Sequence, residues 1–454
     1  MYSFFLQVWW VLVLLGVMIL IHELGHFWAA RAFDVKVEVF SFGFGPRLFG
    51  FRRGETDYRF SLILFGGYVK MAGEQPGEQE TDDPRALSHK PRWQKLIIAA
   101  AGPFMNVVLA VAVLTGLFMF SYEKVLNPDG AVVGHIVPNS VAAKAGIRPG
   151  DKIVRLDGKA NPDWEDIVTK EIETGVPMSV TMERNGHQFP VSLTPVMDPK
   201  EGLGTVGWDG ENEIEVASVN EGYPAAAAGL QKGDLLVKVN GIPIRSHFTL
   251  PEVIRKSDGK PATIEYVRNG VNRVVTMVPV YRNPDGTSMR WMIGVLPEIK
   301  LNIQKTRLAF PDAFHESLVQ NGKNASLIFE FLRGIVEHRM SATNLSGPIR
   351  IAHYATEAAE EGPGPFLQLM SVVSLNLAIF NLMPIPILDG GVILTYLIEI
   401  VMGRDLSLNV KEAMLKVGFV FLMMLVVFVI YNDIAKSLTP GLFMRPPAVA
   451  HTRR

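Results

Sequence analysis

Four stretches of this chain are apolar for long enough to cross a bilayer, and no other feature restricts its fold as much. A helical span takes roughly 20 residues, and residues 4–21, 96–120, 366–388 and 413–431 meet that length. Lipid offers the backbone no hydrogen-bond partner, so isolated spans of this kind must be helices. The first segment has neither a basic start nor a small-residue cleavage site, so it is expected to stay as a span and not to be removed as a signal peptide. Lys416, near one end of the fourth, can snorkel to the headgroups.

The rest of the composition fits a chain divided between lipid and water. The protein has 454 residues, 20% of them charged, and a mean hydropathy of +0.21. A net charge of -1 supplies no basic field for nucleic acid, and with no cysteine the chain has neither disulfides nor thiolate metal ligands. Residues 1–30 contain no Lys or Arg, whereas 31–95 contain eleven. That asymmetry places 31–95 in the cytoplasm and, with four spans, both termini and the long 121–365 region outside. Arg445, Arg453 and Arg454 oppose this weakly from a tail expected to be disordered.

The first span ends in "MILIHELGHFWAARAF", residues 18–33. An ionised side chain near mid-bilayer costs about 2.5–3.5 kcal/mol on insertion scales, and such residues mark function. On a helix His22 and His26 share one face and can offer imidazole nitrogens to one metal ion, with Glu23 beside the remaining position as a general base. Catalytic zinc takes three protein ligands and leaves one position open for water. The other histidines, at 89, 135, 187, 247, 315, 338, 353 and 451, lie outside the spans. Asp389 is the one acid directly following an apolar run at comparable depth. It sits in "NLMPIPILDGG", residues 381–391, where Pro384 and Pro386 must interrupt the helix. Broken backbone at membrane depth is tolerated where it is packed in protein or lines a wet cavity.

The external region contains a repeat. "AAKAGIRPGDKIVRLDGK" at 142–159 recurs 83 positions later as "AAAAGLQKGDLLVKVNGI" at 225–242, and "ERNG" at 183–186 returns as "VRNG" at 267–270. Each unit reads as a short helix, a Gly-Asp turn, an alternating strand and an Asn-Gly hairpin. The pair resembles tandem bacterial PDZ domains, whose exposed strand edge takes an extended peptide.

HELGH in the first span, this tandem insert and the proline-broken "LDG" segment together resemble the site-2 protease family of intramembrane zinc metalloproteases, in the layout of its regulator-of-sigma-E branch. The resemblance implies one zinc ion held by His22, His26 and Asp389, with Glu23 as the catalytic base. It also implies substrate handling by Asn376 and Asn381 in "SLNLAIFNLMP", by Pro384 and Pro386, and by Asn106 in "GPFMN". "FSFGFGP" at 40–46 and the stretch 57–74 are similar to the family's membrane-associated β element, whose edge is proposed to extend the substrate.

The fold expected is a polytopic α-helical membrane protein with four transmembrane helices, that small β element and two inserted extracytoplasmic α/β PDZ domains. Its parts fall at 1–33 (first span), 34–95 (cytoplasmic loop with the β element), 96–120 (second span), 121–200 and 201–300 (PDZ domains) and 301–365 (extracytoplasmic linker). The linker carries an amphipathic helix over 312–338 near the outer membrane surface. Then follow 366–403 (third span with LDG), 404–412 (cytoplasmic loop), 413–432 (fourth span) and 433–454 (tail). The partners implied are the lipid bilayer, single-span membrane proteins already shortened outside, such as an anti-sigma factor or remnant signal peptides, and peptides at the PDZ grooves; the localisation implied is a bacterial inner membrane. Two other classes are a membrane-tethered PDZ scaffold without catalysis and a zinc peptidase acting on extracytoplasmic peptides.

Overall fold

The structure is a computed structural model that describes residues 2–74, 83–125, 130–198, 202–283, 288–300, 302–345 and 347–437. The basic tail singled out above lies outside the described residues. Eleven α-helices are described: α1 (Tyr2–Ala32), α2 (Arg92–Phe120), α3 (Val141–Lys144), α4 (Trp164–Glu171), α5 (Pro224–Ala227), α6 (Thr249–Lys256), α7 (Phe310–Val336), α8 (Pro348–Glu361), α9 (Pro363–Asn381), α10 (Asp389–Met402) and α11 (Leu408–Ser437). The chain divides into two compact units, one built from its two ends with Lys305–Phe329 inserted, the other from Glu123–Gln304 and Glu330–Ala342.

In the first unit α1, α2, α9 and α11 are long and apolar enough to span a membrane. Small residues let the helices approach, as in other lipid-embedded bundles. A Cβ on Gly25 of α1 would lie 2.3 Å from the Ala101 carbonyl oxygen of α2, so only glycine permits that crossing. On α9, Ser371 and Ser374 share one face and donate to the α2 carbonyls of Ala110 (3.0 Å) and Asn106 (2.9 Å). Both serines are fully buried. Leu14 and Met18 of α1 close the core against Ala355 of α8 and Phe366 and Met370 of α9. By contrast, α11 exposes Val417, Phe419, Val420, Met424 and Val427. An apolar surface of this kind belongs in lipid.

The stretch expected to be a linker turns out to supply part of this bundle. The α7 residues Ala325 and Ile328 pack on Ala110, Leu375 and Ile379 of α2 and α9, and Ser317 hydrogen-bonds Thr115 of α2 at 2.8 Å. A small-residue stripe, Ala313, Ser317, Asn321 and Ala325, recurs every fourth residue and so forms one helix face. That face of the helix expected over 312–338 packs on α2 and α9. The α8 helix, also inside the expected linker, is tied to α11 through Asp433, which accepts from the Gly347 amide at 3.0 Å.

The third apolar segment is two helices and a break. The α9 helix ends at Asn381 and α10 begins at Asp389, with Pro384 and Pro386 between them. The break folds tightly over the start of α10: a Cβ on Gly390 would lie 2.2 Å from the Met383 oxygen, and one on Gly391 2.4 Å from the Ile385 oxygen. Ile387, a β-branched residue, is held at φ 94°. Such conformations cost about 1–3 kcal/mol and persist where the surroundings impose them.

Between α1 and α2 runs a curled hairpin, β1 (Val37–Arg53) and β2 (Thr56–Met71). Residues 39–42 of β1 pair on one side with 57–60 and on the other with 67–70. Phe27 of α1 anchors it through ring contacts to Phe40 (5.4 Å) and Tyr58 (5.9 Å). Its far end exposes Phe44, Leu48, Phe49, Phe51, Leu62 and Ile63.

The second unit contains two sheet modules, each closed by its last strand returning to its first. In the first the spatial order is Trp208–Gly210, Ala131–Ile136, Lys152–Leu156, Met178–Arg184, His187–Leu193. In the second it is Val295–Lys300, Glu213–Val219, Leu235–Val239, Ala262–Arg268, Val271–Met277. Because Trp208–Gly210 pairs with Ala131–Ile136, the boundary expected at residue 200 moves past Gly210. The repeated motif gives the spacing of equivalent residues but not where the closing strand falls.

The repeated Gly-Asp turn also has a structural explanation. Asp151 and Asp234 are each 1% exposed, and each receives an arginine at 2.6 Å, Arg184 and Arg268 respectively. The same arginines donate to the Gly146 and Gly229 carbonyls at 2.8 Å.

Candidate metal centre and active site

The first helix and the helix after the break meet at one point. His22 Nε2 lies 3.2 Å from Asp389 Oδ2, His26 Nε2 3.4 Å from Asp389 Oδ1, and the two Nε2 atoms are 3.2 Å apart. These three residues are the one group of potential metal ligands among the described residues whose donor atoms converge. Tetrahedral zinc with bonds of about 2.0–2.1 Å has ligand–ligand edges of about 3.3–3.4 Å. Two imidazole nitrogens and a carboxylate that sets one oxygen against each of them at these separations therefore fit zinc, and three such ligands leave a fourth position for water.

Neighbouring groups orient the imidazoles. His26 Nδ1 is 2.8 Å from the Ile98 carbonyl, to which it donates, so its Nε2 carries the lone pair. His22 Nδ1 is 3.3 Å from the Asn106 amide, and the buried Asn106 Oδ1 has no partner as the amide stands. Turning that amide lets Oδ1 accept from His22 Nδ1–H, satisfying both groups and freeing His22 Nε2 for metal. Contacts of this kind fix the tautomer of a metal ligand. Asn106 is fully buried beside His22.

Three glycines set the spacing. A Cβ on Gly102 of α2 would fall 2.3 Å from His26 Nε2 and 2.8 Å from His22 Cε1. A Cβ on Gly67 of β2 would fall 3.1 Å from Glu23 Cγ, so the β2 edge passes directly over the Glu23 side chain. None of the three, Gly102, Gly67 or Gly25, is among the site residues expected from the sequence, where they read as ordinary glycines of a helix and a strand. Gly102→Ala is expected to push His26 off the metal position, with zinc content falling by more than half in a folded protein. Metal analysis of the purified variant checks this, and parent-like zinc would contradict it.

The remaining predicted residues sit nearby without joining the trio. Asn376 lies on α9, its Oδ1 buried and unpartnered, and Asn381 is the last residue of that helix. No hydrogen bond links either to His22, Glu23, His26 or Asp389 among the described residues. Pro384 and Pro386 form the break; the Pro386 oxygen would lie 2.1 Å from a Cβ on Gly418 of α11, so α11 backs the segment closely.

Two histidines one helical turn apart, an adjacent glutamate and a carboxylate from a distant helix have the make-up of a zinc metallopeptidase site, here with the histidines and glutamate on a helix of membrane-spanning length. The family model for Peptidase family M50 matches residues 10–425. The chain is 32% identical over 445 residues to the regulator of sigma-E protease RseP of Salmonella typhimurium, covering 94% of this chain and 97% of the relative. It is 32% identical over 447 residues to RseP of Escherichia coli, with the same coverage. A putative zinc metalloprotease of Xylella fastidiosa is 31% identical over 451 residues, or 95% of this chain and 99% of that protein. Among solved structures, a PDZ domain of an SdrC-like protein from Listeria monocytogenes aligns with 18% of this chain and 88% of its own, at 19% identity and a TM-score of 0.17, too slight a likeness to bear on the fold. The chain belongs to peptidase family M50 and is a membrane-embedded zinc metalloprotease.

Proposed function

We propose that this protease holds one zinc ion per chain through His22, His26 and Asp389 and cleaves the membrane segment of single-span proteins already shortened on their outer side. The observation that carries this reading is the position of the trio: it joins α1 to the start of α10 within a bundle of spans, beneath the β2 edge. His22, His26 and Asp389 would hold the zinc, which when bound would supply Lewis-acid polarisation of a peptide carbonyl and a water of pKa near about 7. Glu23 takes a proton from the attacking water and returns it to the leaving nitrogen.

A helical substrate hides its carbonyls in its own hydrogen bonds, so a stretch of it must unwind first. The 67–69 segment pairs with 40–42 and has no second ladder among the described residues. That edge, together with Asn376, Asn381 and the open backbone around Pro384 and Pro386, offers partners to the unwound chain. Strand addition is a recurring way for an extended peptide to bind.

The two sheet modules are read as extracytoplasmic PDZ domains that bar intact ectodomains. Relatives named for regulating sigma-E favour an anti-sigma factor as substrate, within a bacterial inner membrane and an envelope stress response. Remnant signal peptides form a second substrate class. The arrangement of His22, His26 and Asp389 opposes a catalytically silent scaffold, and the site's place among spans opposes a peptidase of soluble peptides.

The test uses the purified protein in detergent with one model transmembrane segment, presented with a folded ectodomain, with a short stub, and as a soluble peptide lacking the flanking apolar residues. The stub form is expected to be cut at least about tenfold faster than either of the others. Equal rates for stub and ectodomain forms would remove the size filter, and preference for the soluble peptide would remove the intramembrane reading.

A further inference from the structure

The curled hairpin has a second free edge. Residues 49–53 pair with 56–60 and with nothing else among the described residues, and 57–60 pair in turn with 39–42. Alternate residues of a strand share a face, so Phe49, Phe51 and Arg53 point one way. The two rings are 60% and 63% exposed. Each ends a row that crosses the sheet: Phe49 stacks on Phe60 (4.7 Å), which meets Phe42 (5.5 Å), and Phe51 stacks on Tyr58 (5.2 Å), which meets Phe40 (5.9 Å) and Phe27 of α1 (5.9 Å).

These rows fix the depth of the edge strand. The Phe42 row reaches α1 at Gly16, in the middle of the span, where a Cβ would lie 3.0 Å from Phe42 Cζ. The Phe40 row reaches it at Phe27. Thr56, the partner of Arg53, donates to the Val37 carbonyl at 2.8 Å, just past the end of α1 at Ala32. From Phe49 to Arg53 the strand therefore runs from mid-span toward the end of α1. Trp28 near that end and Trp93 at the start of α2, whose ring meets Phe33 at 5.4 Å, are both more than half exposed. Such rings mark a membrane–water boundary. Open phenylalanines on an unpaired edge invite association in water, whereas in lipid they need no cover.

The charges at this boundary do not balance. Asp57 takes Arg47 (3.2 Å) and Arg59 (3.9 Å), and Glu55 takes Arg85 (2.6 Å). Arg52 and Arg53 are exposed and enter no ion pair among the described residues. As neighbours on a strand they leave it on opposite faces and flank its edge. Two guanidinium groups without a carboxylate, set at the end of a strip of lipid-facing rings, suit a phosphate whose headgroup brings no cation of its own. Guanidinium binds phosphate oxygens in pairs, and basic groups at the bilayer surface favour acidic lipids.

We infer that the 49–53 edge is a docking site for an acidic phospholipid: Arg52 and Arg53 hold its phosphate while Phe49 and Phe51 lie along its acyl chains. The opposite edge of this narrow sheet, 67–69, passes over Glu23, with a Cβ on Gly67 3.1 Å from Glu23 Cγ. A lipid held at one edge steadies the other above the catalytic base, so acidic lipid raises the rate of cleavage. The rate effect rests on the proposed cleavage of membrane segments; the lipid site does not.

The test uses the full-length protein in nanodiscs of phosphatidylcholine alone and of phosphatidylcholine with about one-third phosphatidylglycerol. Photoactivatable phosphatidylglycerol and phosphatidylcholine probes with the same acyl chains are cross-linked and the marked peptides mapped by mass spectrometry, and cleavage of the stub substrate is timed in both discs. In the parent the glycerol probe is expected to mark 49–60 at least about fivefold more than the choline probe, and cleavage to run at least about threefold faster with phosphatidylglycerol. In the Arg52→Gln/Arg53→Gln double variant both ratios are expected to fall to about one with zinc content retained, and Arg52→Lys/Arg53→Lys, which keeps the charge, to restore at least about half of each. Equal marking by the two probes in the parent, or a preference that survives in the double glutamine variant, would overturn the lipid site. Preferential marking with equal cleavage rates in the two discs would overturn its link to catalysis. A choline-disc rate raised to the same level by glycerol phosphate in solution would put a free anion, not a lipid, at the arginines and overturn the docking site as stated. Absence of cleavage in every disc would remove the proposed function, and the marking would still decide the lipid site.

Discussion

Glu23→Gln is expected to abolish measurable proteolysis while leaving the zinc in place. Proton transfer by a positioned side chain contributes about 10²- to 10⁴-fold to rate, and the amide that replaces the carboxylate has the same size but cannot take a proton from water. Glu23 is not among the residues whose donor atoms converge, so the variant should hold zinc at the parent level. Single-turnover cleavage of a transmembrane substrate, run beside metal analysis, separates the two quantities. Cleavage within a few-fold of the parent would rule out Glu23 as the base.

The second large effect is on metal. Asp389→Ala and His22→Ala each remove one of three protein ligands, and each is expected to lower zinc content from about one per chain to near zero, with activity falling to background. Asp389 also joins α10 to α1 through both imidazoles, so its loss removes a link between segments far apart in the chain. His353→Ala, an exposed histidine on α8, serves as the control and should keep its zinc. Zinc retained in full by the Asp389 variant would mean that another group completes the site.

Much of this site was legible before any coordinates. His22 and His26 are four apart on one helix, and helical geometry alone brings their side chains together. Pro384 and Pro386 withhold donors, so a break before Asp389 followed from covalent structure. The Gly-Asp repeat was equally plain, because a positive-φ glycine and a buried acid leave the same mark each time they occur. Other features had no local signature. Gly102 and Gly67 look like any glycines in an apolar helix and a strand, and only the approach of His26 and Glu23 makes a side chain there intolerable. The packing of α7 on α2 and α9 has no local signature either, because its small polar face resembles a water-facing one and gains its partners Thr115 and Ala110 only in the fold.

The order of residues by itself determined which segments enter lipid, where the third of them breaks and that two histidines share one helical face with a glutamate beside it. These are consequences of helix period, backbone hydrogen bonding and transfer from water, which act over a turn or a span. Tertiary structure alone decided how closely Asp389 approaches both imidazoles, that β2 crosses above Glu23 and that α7 packs on α2 and α9. Each of those depends on contacts between segments remote along the chain, set by close packing of small residues, and no short stretch of sequence contains both sides of such a contact.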